Sequence, residues 1–272
     1  PPPIFWGGLT PGVHHVSFSR AKKHDSLNYI CHCLTSRPPS SVFLDDRTQT
    51  ELARRLRNVT ETLSAASEDD SLDPAAHPGL LGLSTMLASP AVLEHSDRYV
   101  RLHAVLALME VFYVYAPEPP FEEAEVLRIF GQMVRQLGNL HGTPSTSADF
   151  ELYYRILEQL SEVKIGVVLV DLIRTERDTS GDGDALECLC GLVRTLLACP
   201  NNSPAASGDG PVHPPEVAGH AEAAVAACIE EFEGSVPVPV VEELLTCVGA
   251  GPRATVPNPE YARLVAEAGG SG

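Results

Sequence analysis

An all-α fold, a superhelix of paired helices like the HEAT and armadillo solenoids, is the class this sequence predicts. Three observations point to it. Apolar residues recur at spacings of three and four in about nine separate stretches, the period of a helix with one buried face. Short Pro-, Gly- and Ser-rich breaks divide the stretches, and the one β-prone run, Ile165 to Val170, has no second strand to pair with. Consecutive helices also group into antiparallel pairs of roughly 40 to 50 residues, the period of two-helix solenoid repeats, though no strict sequence repeat is visible.

Residues 1 to 44 stand apart from this pattern. Pro1 to Pro3, Gly7, Gly8, Pro11, Gly12, Pro38 and Pro39 break every periodicity, so the segment is expected to be disordered or poorly ordered. Helical repeats are expected over 45–250, with a flexible insertion near 200–213, and a frayed tail over 251–272.

The first helix is predicted from Arg47 to Ala66, with Leu52, Leu56, Val59 and Leu63 as its stripe and Arg54, Arg55, Arg57 and Glu61 on its wet side. Ser67 to Pro78, carrying Glu68, Asp69, Asp70 and Asp73, reads as a solvated loop. A shorter helix follows from Gly79 to Ala88 and ends at Ser89-Pro90.

The stretch from Val92 to Leu140 reads as two long helices joined by a Pro-rich elbow. Asp97 is placed to cap the first of them. From Arg101 to Tyr115 only His103 and Glu110 interrupt apolar and small residues, so this helix must be covered on more than one side. Pro117, Pro119 and Pro120 end it. The next helix carries Glu122, Glu123 and Glu125 in its first turns, where negative charge suits the helix dipole. Val126, Ile129, Phe130, Met133, Leu137 and Leu140 form its buried face, with Arg128, Gln132 and Arg135 elsewhere.

Beyond a turn at Gly142 to Ser147, in which Ser145, Thr146 or Ser147 can cap, Phe150, Tyr153, Leu157 and Leu160 line a helix to Ser161. A further apolar helix is expected from Val163 to Thr175. Asp178 to Asp184 is a Gly and Asp loop, and helix resumes from Asp184 to Ala198. Cys199 to Pro211 is low in complexity and reads as an inserted loop. Pro214 and Pro215 suit a first helical turn before the stripe Val217, Ala221, Val225, Cys228 and Phe232. Gly234 to Pro237 breaks that helix, and Val240, Val241, Leu244, Leu245 and Val248 mark the next. Tyr261, Leu264 and Val265 suggest a frayed last one.

Nineteen Lys and Arg against 36 Asp and Glu give a net charge of −17 over 272 residues, which argues against a nucleic-acid or anionic-membrane surface and for protein partners. Seven cysteines, an odd number in a chain of this size, argue for a reducing compartment rather than a disulfide framework. Cys188, Cys199, Cys228 and Cys247 are expected to pack as small hydrophobes. No apolar run reaches the length of a membrane span, and no secretory leader is visible.

Chemical motifs are sparse. There is no phosphate loop, dinucleotide fingerprint, HExxH or GxSxG elbow; Gly82-Leu83-Ser84 lacks the second glycine. Cys31-His32-Cys33 with His14, His15 and His24 lacks a second ligand pair at zinc-finger spacing. The calcium-like Asp178-x-Ser180-x-Asp182-Gly183 has Leu189 where a bidentate Glu belongs. His95, Ser96 and Asp97 read as a turn and a cap rather than a triad. No catalytic residue, cofactor or metal is therefore expected. The one candidate site is the loop Tyr115, Ala116, Pro117, Glu118, Pro119, Pro120 and Phe121, a stiff exposed ridge with two aromatics that could receive a partner motif at low ordering cost.

The run HSDRYVRLHAVLALMEVFYVYAPEPPF, His95 to Phe121, resembles the cohesin-associated sister chromatid cohesion family named for precocious dissociation of sisters, in which an H-x-D-x-x-VRL helix leads into a YAPEAPY-like turn. Further matches follow in order. They are Ile129-Phe130 with Gln136-Leu137 and Leu140, Tyr153-Tyr154-Arg155-Ile156-Leu157-Glu158 before Val163-Lys164, and Glu231 with Val236-Pro237 and Leu244. The resemblance covers roughly Asp46 to Val248. Residues 1 to 44, the loop from Pro200 to Pro211 and the tail fall outside it, as lineage-specific insertions or gene-model errors would.

What the resemblance implies is a nuclear, non-enzymatic HEAT-repeat scaffold, represented here by its N-terminal part. Its expected partners are cohesin, through the kleisin subunit, the wings-apart-like release factor and, in some lineages, a sororin-like protecting factor; chromatin is reached only indirectly. By position the family's proline-rich docking turn falls on Ala116 to Pro120, flanked by Tyr115 and Phe121, with Pro119 where relatives often carry a small residue. Most of the kleisin-binding surface is expected beyond residue 272.

Overall fold

A computed structural model describes residues 46–67, 74, 77–179, 183–200 and 213–249. The expectations for residues 1–44, 201–212 and 251–272 lie outside the described residues. Among the described residues every regular element is helical, so the run after Ile165 is helix and not strand.

The described residues form ten helices in succession: α1 (Asp46–Ser67), α2 (Pro78–Leu87), α3 (Pro90–Leu93), α4 (Arg98–Tyr115), α5 (Glu123–Leu137), α6 (Ala148–Glu162), α7 (Val167–Thr179), α8 (Asp184–Ala198), α9 (Pro215–Glu231) and α10 (Val238–Gly249). Most boundaries have local causes. The Asp97 carboxylate accepts from the amides of Tyr99 at 2.7 Å and Val100 at 3.0 Å, so α4 starts at Arg98. Glu122 and Glu125 form a capping box at the start of α5. Of the three capping candidates before α6 it is Ser147 that accepts, from the Asp149 amide at 3.2 Å. Pro78, Pro90 and Pro215 each open a helix, where a missing amide hydrogen costs nothing.

Three boundaries differ from expectation, one of them the end of α7, which runs to Thr179, past the expected Thr175 and into the stretch read as a Gly and Asp loop. Ser89-Pro90 ends α2 but also opens the four-residue α3, because a proline that stops one helix is preset for the first turn of another. Val163 to Gly166 form a turn in which Lys164 takes a φ of 56°, so α7 begins at Val167.

The helices stack in two layers. Arg98 reaches Asp149 at 2.7 Å, and twelve residues further along α4 Glu110 meets Arg155 and Gln159, so α4 and α6 run in the same direction. Phe150 lies against His213 and Ser161 against His220, which gives α6 and α9 the same sense. Hence α4, α6 and α9 form one layer. The second consists of α5, α8 and α10: the Cys199 thiol after α8 approaches the Leu137 carbonyl of α5 at 3.7 Å, and Arg194 of α8 pairs with Glu243 of α10. α6 packs on both α4 and α5, and α9 on both α6 and α8; α1, α2 and α3 cover α4, and α7 is wedged against α8 and α9.

This arrangement explains which side chains sequence periodicity misplaced. α4 is covered by α1, α2, α3, α5 and α6, so every residue from Leu102 to Phe112 is buried, His103 and Glu110 among them. Gln132, expected off the buried face of α5, is buried as well, because α5 is enclosed by α3, α4, α6 and α8 rather than covered along one stripe. Cys199 and Cys228 are buried as expected, and so is Cys190, whereas Cys188 is only half-buried. Leu245 faces outward; its partners Val240 and Leu244 fill the core.

Candidate functional site

The loop from Tyr115 to Phe121 leaves the C-terminal end of α4, and its two aromatic ends are fastened to the core. Phe121 tilts against Phe112 with ring centroids 5.4 Å apart, and Phe112 meets Phe130 edge-on at 6.0 Å. Tyr115 is likewise half-buried against the core. The expectation of a ridge bearing two exposed aromatics is thus corrected: the aromatics are anchors, held because the packed face of α4 ends in Phe112. What projects between them is Ala116, Pro117 and Glu118, all exposed, while Pro119 and Pro120 are half-buried.

The backbone of the ridge is held at both ends. The Ala116 amide donates to the Tyr113 carbonyl at 3.3 Å, and the Ala116–Pro117 peptide bond is cis. At the far end the Glu122 amide donates to the Glu125 carboxylate at 3.1 Å. With three prolines in five residues, little conformational freedom remains to be lost when a partner binds.

Tyr113, one helical turn beyond Glu110, exposes its ring immediately before the ridge, a feature that the sequence hides by placing it in an apolar run. The only available signal was its spacing of three from the polar Glu110. Glu110 itself accepts from Arg155 at 2.8 Å and from Gln159 at 2.7 Å, so beneath the ridge α4 is pinned to α6 by a buried, fully engaged carboxylate oxygen.

The other residues with chemical potential are occupied structurally. Ser84 donates to the Leu80 carbonyl within α2 at 2.8 Å. His95 Nδ1 accepts from the Asp97 amide at 3.1 Å, and Arg101 donates to the carbonyls of His95 and Ser96, so His95, Ser96 and Asp97 make the turn and cap that the sequence suggests. Burial pushes the thiols of Cys199 and Cys228 up to about 12 and that of Cys188 to about 11, which keeps them protonated and poorly nucleophilic at neutral pH. Among the described residues no group of His, Cys, Asp and Glu is arranged to hold a metal ion, and no helix is long and apolar enough to cross a membrane.

Comparison with known proteins places this architecture. A family model described as the sister chromatid cohesion protein PDS5 matches residues 50–266. The sister chromatid cohesion protein PDS5 homolog B-B of Xenopus laevis is 30% identical over 188 residues, 69% of this chain and 11% of that protein. The human PDS5 homolog B is 31% identical over 167 residues, and human homolog A is 31% identical over 168. The chain therefore spans about a tenth of the length of these relatives. Among solved structures, a chain of the Pds5–Scc1 complex superposes with a TM-score of 0.58 at 18% identity, covering 85% of this chain and 32% of that one, a likeness of fold.

Proposed function

The chain belongs to the PDS5 family of sister chromatid cohesion proteins, and from that membership we propose that it is part of a non-catalytic, nuclear scaffold that binds cohesin and its regulators. Its work is to hold short segments of other proteins, and so to influence how long cohesin stays on chromatin. The kleisin subunit is the expected cohesin contact, in keeping with the Pds5–Scc1 complex whose helical fold this chain shares. The wings-apart-like release factor and a sororin-like factor are the regulators it is expected to receive.

The observation that carries the docking role is the ridge. Ala116, Pro117 and Glu118 project from a loop whose flanking Tyr115 and Phe121 are fixed to the core, next to the exposed ring of Tyr113. A partner segment meets a preformed surface there, with an apolar ring, two stiff residues and one carboxylate for a cationic side chain.

The test is a pull-down and a titration. The full chain should recover cohesin subunits from a nuclear extract. Pro117→Ala with Glu118→Lys should weaken binding of a release-factor peptide by about tenfold, roughly the 1.4 kcal/mol expected of one exposed charge contact plus lost rigidity, while the helical circular dichroism is unchanged. Unaltered peptide affinity would remove the ridge from the proposal and leave the scaffold role standing.

A further inference from the structure

Lys164 is the one lysine among the described residues, and it is exposed in the turn between α6 and α7. Every arginine whose side chain is described is paired with a carboxylate, a backbone carbonyl or an amide oxygen. Lys164 has no such partner among the described residues. Its φ of 56° lies in the left-handed region, where glycine is the usual occupant and a side chain is held at a cost. A lysine near a helix end suits the negative end of the dipole, but any position in the last turn of α6 would serve that need without the left-handed backbone.

The register of α4 and α6 puts this lysine beside the ridge. The two helices pack together and run the same way, with Glu110 level with Arg155 and Gln159. Six residues beyond Glu110 the chain reaches Ala116, where the exposed part of the ridge begins; seven beyond Leu157, midway between Arg155 and Gln159, it reaches Lys164. Packed helices stand about 8–10 Å apart. Lys164 therefore emerges next to Ala116, Pro117 and Glu118, at the same end of the layer. Glu118 and Lys164 are opposite charges, both exposed, and neither forms an ion pair with the other.

We propose that Lys164 is a second charged contact of the docking surface, and that the segment received there is an extended peptide with a basic side chain for Glu118 and an acidic one for Lys164. The inference rests on the docking role of the ridge and names the chemistry of its partner. An extended chain advances about 3.3 Å per residue, so a separation of about three residues spans the gap between the two helices. Opposite charges held at that distance on two packed helices fix the direction in which a peptide lies, because the reversed peptide sets like charges against each other. The left-handed turn carries the ammonium clear of the α6 backbone, and its freedom from any counter-ion leaves nothing to be broken before the partner binds.

Peptides selected from a random displayed library on the full chain, and then titrated by fluorescence anisotropy, test this. The selected sequences should pair a basic with an acidic residue about three positions apart. Lys164→Glu should weaken them about tenfold, and exchanging the acidic residue of the peptide for lysine should restore binding to that variant. Lys164→Arg should keep the affinity. Lys164→Gly should lose affinity without a fall in its urea midpoint, since glycine meets the left-handed turn freely; a lysine needed only for the helix end would show the reverse. Selected peptides without an acidic residue overturn the proposal, as does affinity that Lys164→Glu leaves unchanged. If Pro117→Ala with Glu118→Lys weakens binding while Lys164→Glu does not, the ridge stands and the Lys164 contact falls; if neither does, both fall.

Discussion

At Gly166 the absence of a side chain is a packing requirement: an added Cβ would stand 2.6 Å from the Sγ of the buried Cys228 on α9. Gly166→Ala should therefore destabilise the chain by about 1–3 kcal/mol, as overpacking of a tight interior does. Combining it with Cys228→Gly should restore part of the loss in urea unfolding, since space rather than backbone conformation is at issue. His103 is a second residue whose setting decides its behaviour. Burial, and then the nearby Arg57 charge, hold its pKa below the usual 6.5. The unfolded chain thus takes up a proton near pH 6.5 that the folded chain refuses, so the stability present above that pH is lost as pH falls toward the folded value. Unfolding midpoints measured at pH 7.5 and 5.5 should differ less in His103→Gln than in the unaltered chain.

Pairs of elements are joined by polar contacts of unequal burial, and the inequality sets the cost of breaking them. In the α4–α6 pair the Glu110 side chain is 4% exposed and that of Arg155 33%. Arg155→Ala strands a buried carboxylate, and a loss of about 2–4 kcal/mol is expected, toward the range for breaking buried pairs. Glu110→Leu releases a guanidinium that already reaches water but takes the Gln159 amide's partner away, so a smaller loss of about 1–2 kcal/mol is expected. Thermal or urea unfolding of the two variants checks the order. Equal losses would mean that the pair acts through Coulomb attraction alone. The Arg98–Asp149 pair of the same two helices has its guanidinium more exposed, at 55%, and should contribute less.

Over the whole molecule the charge of −17 works against polyanions. Fluorescence anisotropy should show no binding of duplex DNA by this chain at ~0.1 M salt, where the Debye length is about 10 Å; saturable binding would require a basic partner surface that the composition lacks. Among the described residues the layered stack presents helix flanks and an exposed link at Ala116 to Glu118. That suits a protein whose proposed work is to receive segments of other chains.

What was legible in the sequence and what was not follows from the range of the forces involved. Many helix ends were legible because their causes lie within four residues: the Asp97 cap, a cap among Ser145 to Ser147, the acidic start of α5, and prolines at first turns. The all-helical class and the ridge between Tyr115 and Phe121 were legible for the same reason. Side chains with several distant neighbours were not. Gln132 and Glu110 are buried only because helices far along the chain close over them, Phe121 points inward because Phe112 awaits it, and Val238 and Leu245 stay exposed because α8 covers just one side of α10. The sequence by itself determined the long helices, their order and the place of the ridge, but not the short α3 or the turn before α7, since backbone hydrogen bonds and capping are local. Tertiary structure alone decided which faces are buried and which group of the ridge meets solvent, because burial depends on every element that packs against a surface.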